Sequence, residues 1–167
     1  SEMCIRDRGH DERLSKFVPM SQIYLAVTMW TAGLRGPGQL LLEGEGAIEF
    51  YRASGDSDEQ TEIIFKALDE AGLHPHINDN VFEAIWSKAT LNSVLNPLCT
   101  ILDKTIYDFG SYDHSRNMIV PIIDEIVAVA KARGVELDKT ALIQKIEGAY
   151  PKAVSYTHLT LPTSDLV

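Results

Sequence analysis

The sequence predicts an α/β segment followed by an all-α segment, and three observations carry that reading. Between residues 22 and 77, short apolar runs of strand length alternate with a single helical pattern. From Asn80 onward, apolar residues recur at the three-to-four spacing of a helix that buries one face. The chain is 167 residues long, 45% hydrophobic and 23% charged, which is apolar enough to build a core and too apolar for a disordered chain.

Taken in order, DERLSKF at 11–17 predicts a short helical turn that stops before Pro19. QIYLAVTMW, 22–30, predicts a buried strand. GQLLLEGEGAIEFYR, 38–52, predicts two strands forming a hairpin through the glycines at 44 and 46. Ser57 with Gln60 has the spacing of a capping box, predicting a helix over 58–71 that ends at Gly72. LHPHI, 73–77, predicts a short extended piece. Asn80 with Glu83 opens a long helix to about residue 102. A second, over about 113–133, carries Met118, Ile119, Ile122, Ile123, Ile126, Val127, Val129 and Ala130 on its apolar face and stops at Gly134. A third begins near Asp138, carries Leu142, Ile143 and Ile146, and is interrupted at Pro151. The composition shift near residue 78 predicts a domain boundary there.

The net charge of −9 gives no basic face for nucleic acid. No apolar run approaches the ~18 residues that span a bilayer, and no secretory leader pattern opens the chain, so the expectation is a soluble cytoplasmic protein without a membrane partner. Cys4 and Cys99 have neither a disulfide framework nor metal spacing and read as plain thiols. His10, His74, His76 and His114 are scattered, so no metal site is expected. The glycines of GLRGPG, 33–38, and GEG, 44–46, do not form a phosphate loop, because a nucleotide fingerprint follows a strand and opens a helix.

One helix face stands out. In IWSKATLNSVLNP, 85–97, Lys88, Asn92 and Asn96 recur every four residues among apolar neighbours, and at about 100° per residue they share roughly 80° of arc. A lysine, with a reference pKa of ~10.4, is protonated at neutral pH and can donate to an oxygen that gains charge as a carbonyl is reduced. Asparagines donate and accept without adding charge, so two on one face suit hydroxyl or carbonyl groups. Pro97 frees the Ser93 carbonyl and bends the helix. The residues alone leave two readings open: a solvated polar stripe, or a stripe that lines a pocket.

The two ends have a separate character. MCIRD, 3–7, written ATG TGT ATA AGA GAC, has the reverse complement GTC TCT TAT ACA CAT, which encodes the VSYTH of 154–158. One DNA sequence read on opposite strands can therefore encode both stretches, which resembles the inverted transposon adaptors of sequencing libraries. Residues 1–8 and 154–167 are expected to be adaptor-derived extensions of a segment cut from a longer gene.

IWSKATLNSVLNPLCTILD, 85–103, resembles the signature of ketopantoate reductases (2-dehydropantoate 2-reductases), whose helical domain opens with W-x-K-x-x-x-N-x-x-x-N-P. Trp86, Lys88, Asn92, Asn96 and Pro97 match it. GHDERL, VTMWTAGLRGPGQLLLEGEG and IIDEIVAVAKARG are similar to other stretches of the family, extending the resemblance over about residues 9–150. The resemblance implies that residues 9–78 are the C-terminal strands of a Rossmann-type dinucleotide-binding domain. It implies that 79–153 are the first helices of a helical domain like that of 6-phosphogluconate dehydrogenases, and that both domains are truncated. The implied cofactor is NADPH, and the implied substrate is a small 2-keto acid bound between the two domains, 2-dehydropantoate, reduced to pantoate. Lys88 would be the general acid, Asn92 and Asn96 would bind substrate oxygens, and Ala32 would fall where the backbone nears the cofactor. Glu125 matches an acidic family position and reads here as a surface carboxylate.

The family's N-terminal G-x-G-x-x-G, the asparagine of its N-G-x-G turn, and a late serine and glutamate are absent from the sequence. The chain alone is therefore expected to be inactive. Two rivals remain: a related reductase of another small 2-keto acid, and a non-catalytic helical interaction module whose polar stripe is solvated.

Overall fold

The computed structural model of the chain describes residues 10–43 and 46–151, so the readings of the two ends and of the glycine connection at 44–45 lie outside the described residues. The fold divides between Ala84 and Ile85 into two compact units.

The first unit opens with α1 (His10–Leu14) and a single 3-10 turn, Met20–Gln22, followed by β1 (Tyr24–Thr28), β2 (Thr31–Gly36), β3 (Gln39–Glu43), β4 (Ile48–Arg52), α2 (Glu59–Glu70) and β5 (Pro75–Ile77). β1 lies antiparallel to β4, from Tyr24 opposite Arg52 to Thr28 opposite Ile48, and β5 joins the far side of β4 in parallel. β2 and β3 form a separate antiparallel ribbon with an irregularity between Leu34 and Gly36.

The hairpin expected over 38–52 is corrected by this pairing, because β3 turns back on β2 and β4 on β1. The reason is turn chemistry. Gly36-Pro37-Gly38, with Gly38 at φ 73°, reverses the chain over two residues, whereas the connection from β3 to β4 is longer. The reversal at Pro37 brings the outer strands together as well, and the Met29 N–H donates to the Ala47 carbonyl at 2.9 Å. The run expected as one strand over 22–30 accordingly ends at Thr28, and the glycine run after it is itself a strand.

Ile23, Val27 and Phe50 are buried in this unit, with the Tyr24 ring tilted against Phe50 at 6.3 Å. Beside them an arginine is 6% exposed at the end of β4. A buried guanidinium must be paired. Arg52 donates through Nε and Nη2 to the Tyr24 hydroxyl at 3.2 and 3.0 Å and through Nη1 to Asp56 at 3.4 Å, and it forms an ion pair with Asp58. The Tyr24 hydroxyl also lies 3.1 Å from the Thr61 hydroxyl.

Asp58 caps α2, accepting the N–H groups of Gln60 at 3.0 Å and Thr61 at 3.3 Å. The Thr61 hydroxyl in turn accepts the Asp58 N–H at 3.4 Å, so the capping box is Asp58 with Thr61, one residue beyond the expected Ser57 with Gln60. A carboxylate at Asp58 caps the helix as well as a serine would and meets the arginine too, while Glu59 and Glu62 complement the helix dipole.

This network sets an acid limit. The hydrogen bond from Arg52 is the largest influence holding the Asp58 carboxyl below its usual value of 3.8. A carboxylate depressed on folding contributes stability that is present above its unfolded pKa and lost as pH falls through the folded one. We expect thermal melting of the wild-type chain to fall more steeply below about pH 4 than that of Asp58→Asn, whose amide does not titrate there. Parallel pH profiles would show that the pair does not couple to folding.

The second unit is helical: α3 (Val81–Leu102) runs into it from the first unit, followed by α4 (Ile106–Gly110), α5 (Ser115–Ala132) and α6 (Lys139–Glu147). Its core gathers Val94, Leu95 and Cys99 of α3, Phe109 of α4, Ile119 and Ile123 of α5, and Leu142, Ile143 and Ile146 of α6. Asp138 caps α6, accepting from Thr140 at 2.7 Å and Ala141 at 3.1 Å, and Gly134 at φ 77° follows α5.

Three details differ from the expectation. Val129, placed on the apolar face of α5, is exposed. α6 stops at Glu147, before Pro151, and α4 was not anticipated because five residues are too few to show a period. α4 is capped by the Thr105 hydroxyl, which accepts the Asp108 N–H at 3.0 Å, and the Tyr150 ring packs on its last residue, Gly110, and edge-on against Phe109. Among the described residues no helix is long and apolar enough to cross a membrane.

Candidate active site

α3 begins at Val81, where expected, and the Asn80 carbonyl accepts the Ala84 N–H at 3.2 Å; an Asn78 turn leads into it. The Asn78 side chain accepts the Asn80 N–H at 2.9 Å, its carbonyl accepts the Val81 N–H at 3.0 Å, and its amide donates to Glu49 at 2.6 Å. Leucine and alanine then carry the helix for 22 residues, across Pro97.

One side of the helix is fixed by burial, with Trp86, Thr90 and Val94 all under 9% exposed, while Leu95, also buried, lies within about 20° of the Lys88 azimuth. Asn92 points about 160° away from Val94 on an ideal helix, with Lys88 and Asn96 about 40° to either side. The structure thus keeps the three polar residues together, on the side away from Val94. Lys88 and Asn96 are half-buried and Asn92 is exposed. Each step along the stripe rises about 6 Å, so Asn92 is central and the long stem of Lys88 sets how far the set can converge.

Three local features loosen the backbone ladder of this helix. Pro97 has no N–H for the Ser93 carbonyl. The Thr90 hydroxyl donates to the Trp86 carbonyl at 2.8 Å, and the Thr100 hydroxyl donates to the Asn96 carbonyl at 2.7 Å. Such back-bonds draw a carbonyl off the helix ladder. The two threonines flank Asn92 and Asn96 along the helix, and sequence reasoning missed them, although a Thr four residues after Trp86 and another after Asn96 are visible in the sequence. Cys99 lies on the azimuth of the stripe one turn beyond it, yet it is buried, and burial pushes its thiol pKa up. It is a packing thiol rather than a nucleophile.

The remaining candidates lie elsewhere. Ala32 is exposed on β2, opposite Leu42. Glu125 is exposed on α5. In the first unit a shallow groove is lined by Tyr24, Arg52, Asp58 and Gln60, but the polar groups of Arg52 and Asp58 are already paired with each other and with their neighbours.

Known proteins are similar to this chain over most of its length. The family model described as the C-terminal part of ketopantoate reductase PanE/ApbA matches residues 80–161, so it begins at the start of α3 and contains all three polar residues. The 2-dehydropantoate 2-reductase of Lactococcus lactis subsp. lactis (strain IL1403) is 33% identical over 159 residues, covering 95% of this chain and 51% of that protein. The chain belongs to the ketopantoate reductase family. The 2-dehydropantoate 2-reductase of Streptococcus pyogenes serotype M3 (strain MGAS315) is 34% identical, over 89% of this chain and 48% of that one. Among solved structures, a D-mandelate dehydrogenase in complex with NADH superposes with a TM-score of 0.79 at 36% identity, covering 89% of this chain and 50% of its own. This family member therefore spans about half the length of the curated relatives it matches. Its fold, Rossmann-like strands leading into a helical unit, is the one expected from the family resemblance.

Proposed function

We propose that this chain is part of an NADPH-dependent 2-dehydropantoate 2-reductase and that α3 supplies its proton donor. The observation that carries the reading is the stripe itself: one ammonium and two carboxamides on the side of α3 away from Val94, within the region the family model matches. Reduction of a 2-keto acid leaves charge on the former carbonyl oxygen. Lys88 Nζ donates the proton to that oxygen, and Asn92 and Asn96 hold the carboxylate or hydroxyl oxygens through their amide N–H groups. Residues 9–78 are read as the tail of the dinucleotide domain and 79–153 as the first helices of the substrate domain. Residues 1–8 and 154–167 are read as adaptor-derived. Ala32 is assigned to the cofactor side on the family resemblance. The compartment assigned is the cytoplasm.

When bound, a nicotinamide cofactor supplies the hydride. The described residues do not fit its pyrophosphate. The turn from β4 into α2 is the place where a Rossmann unit would offer free N–H groups, and there the Asp58 carboxylate already takes those of Gln60 and Thr61. A phosphate at that point would also meet a negative charge. The chain on its own is therefore expected to show no turnover with NADPH and 2-dehydropantoate, at micromolar protein and over hours. A rate like that of a full-length relative would overturn this.

A second reading keeps the chemistry and changes the substrate to another small 2-keto acid. The 36% identity to a D-mandelate dehydrogenase favours it, since a lysine and two asparagines do not specify what the keto carbon carries. Turnover of the full-length protein with 2-dehydropantoate and with phenylglyoxylate, each with NADPH and NADH, separates the two.

A further inference from the structure

The three polar residues account for the oxygens of a 2-keto acid, which leaves the third substituent of the keto carbon to be placed. On α3 the azimuths run in the order Lys88, Asn92, Ile85, Asn96, Ala89, spanning about 100°. Ile85 and Ala89 are the two apolar residues among these five, both are half-buried, and neither belongs to the hydrophobic cluster that forms the core of the helical unit. Their apolar surface is thus on the polar side of the helix without being used to build the core. Ala89 carries a single methyl group between Ile85 one turn before and Asn92 and Asn96 beyond, so the helix surface dips there.

We propose that Ala89, flanked by Ile85, sets the size of the substituent the substrate carries on its keto carbon; this rests on the assignment of Lys88, Asn92 and Asn96 to the substrate. Lys88 lies at one margin of the face and Ala89 at the other. A substrate held across Asn92 with its reacting oxygen toward Lys88 turns its substituent toward the dip. An alanine there makes room for a branched or aryl group, and a larger side chain closes it.

The test uses the full-length reductase and two substrates, pyruvate with its methyl group and a 2-keto acid with a tertiary alkyl or phenyl group. In Ala89→Leu the ratio of kcat/KM for the bulky substrate over pyruvate is expected to fall about 10-fold or more, the scale on which pockets discriminate apolar groups. In Ile85→Ala the same ratio is expected to rise. A general packing defect lowers both substrates together, and a parallel loss in Ala89→Leu would overturn the proposal. If far-UV circular dichroism shows that Ala89→Leu does not fold, Ile85→Ala decides, and an unchanged ratio there overturns it. Lys88→Met keeps the two assignments distinct. Full turnover in that variant removes the proton donor while a shifted Ala89 ratio leaves the size dip standing; an inactive Lys88 variant with an unshifted Ala89 ratio does the reverse.

Discussion

If Lys88 is the proton donor proposed above, Lys88→Met in the full-length protein is expected to lower kcat by about 100- to 10,000-fold, the range a positioned general acid contributes. Methionine keeps most of the apolar stem, which lies half-buried on α3, and removes all three N–H donors. Lys88→Arg sharpens the test. Arginine restores the charge, so KM is expected to recover, but its guanidinium holds its proton too tightly to be a good donor and kcat is expected to stay low. Steady-state kinetics with circular dichroism as a folding control read both. Unchanged kcat in Lys88→Met, with KM also unchanged, would make the stripe a solvated face and favour an interaction module over an enzyme.

The second large effect concerns the core that holds α3 in place. Ile123 is fully buried between α3, α4 and α6, and Ile123→Ala is expected to destabilise the helical unit by about 2–5 kcal/mol. Val129 lies on the same helix, six residues on, and is 56% exposed, so Val129→Ala is expected to change stability by no more than about 0.5 kcal/mol. The molecule offers a local reporter. Its two tryptophans fall one in each unit, Trp30 in the first and Trp86, buried in α3, in the second. Urea unfolding followed by fluorescence in a Trp30→Phe background therefore reads Trp86, on the helix whose later turns carry Val94 and Leu95 into the core with Ile123. Equal midpoints for the two alanine variants would mean that Ile123 is not in a packed core.

The contrast between these residues also shows what the sequence discloses. α2, α3, α5 and α6 were legible because each combines a repeating apolar period with a stop or cap in plain view, and the stripe was legible because it shares that period. What a period does not reveal is which flank of a face is covered. Val129 and Ile123 fit the same apolar pattern, and Lys88 and Asn92 the same polar one, yet burial separates the members of each pair. Strand pairing escaped for a different reason. Two glycine-containing connections competed, and the shorter reversal at Pro37 determined the partners of all four strands. Arg52 escaped because nothing local marks an arginine at a strand end as buried; its partners Tyr24 and Asp58 come from two other segments and are visible only once β1, β4 and α2 are assembled.

The parallel pairing of β4 with β5 has a kinetic corollary. Antiparallel neighbours can zip outward from a reversal, but Ile48 cannot align with Pro75 until the chain between them has been carried the whole length of the sheet and back. The α2 segment, with its own cap at Asp58, shortens that search by holding 12 residues in a rod. Docking of Pro75–Ile77 is thus expected to be the late, slow event in the assembly of the first unit, waiting on a helix that is ready before the strand it delivers.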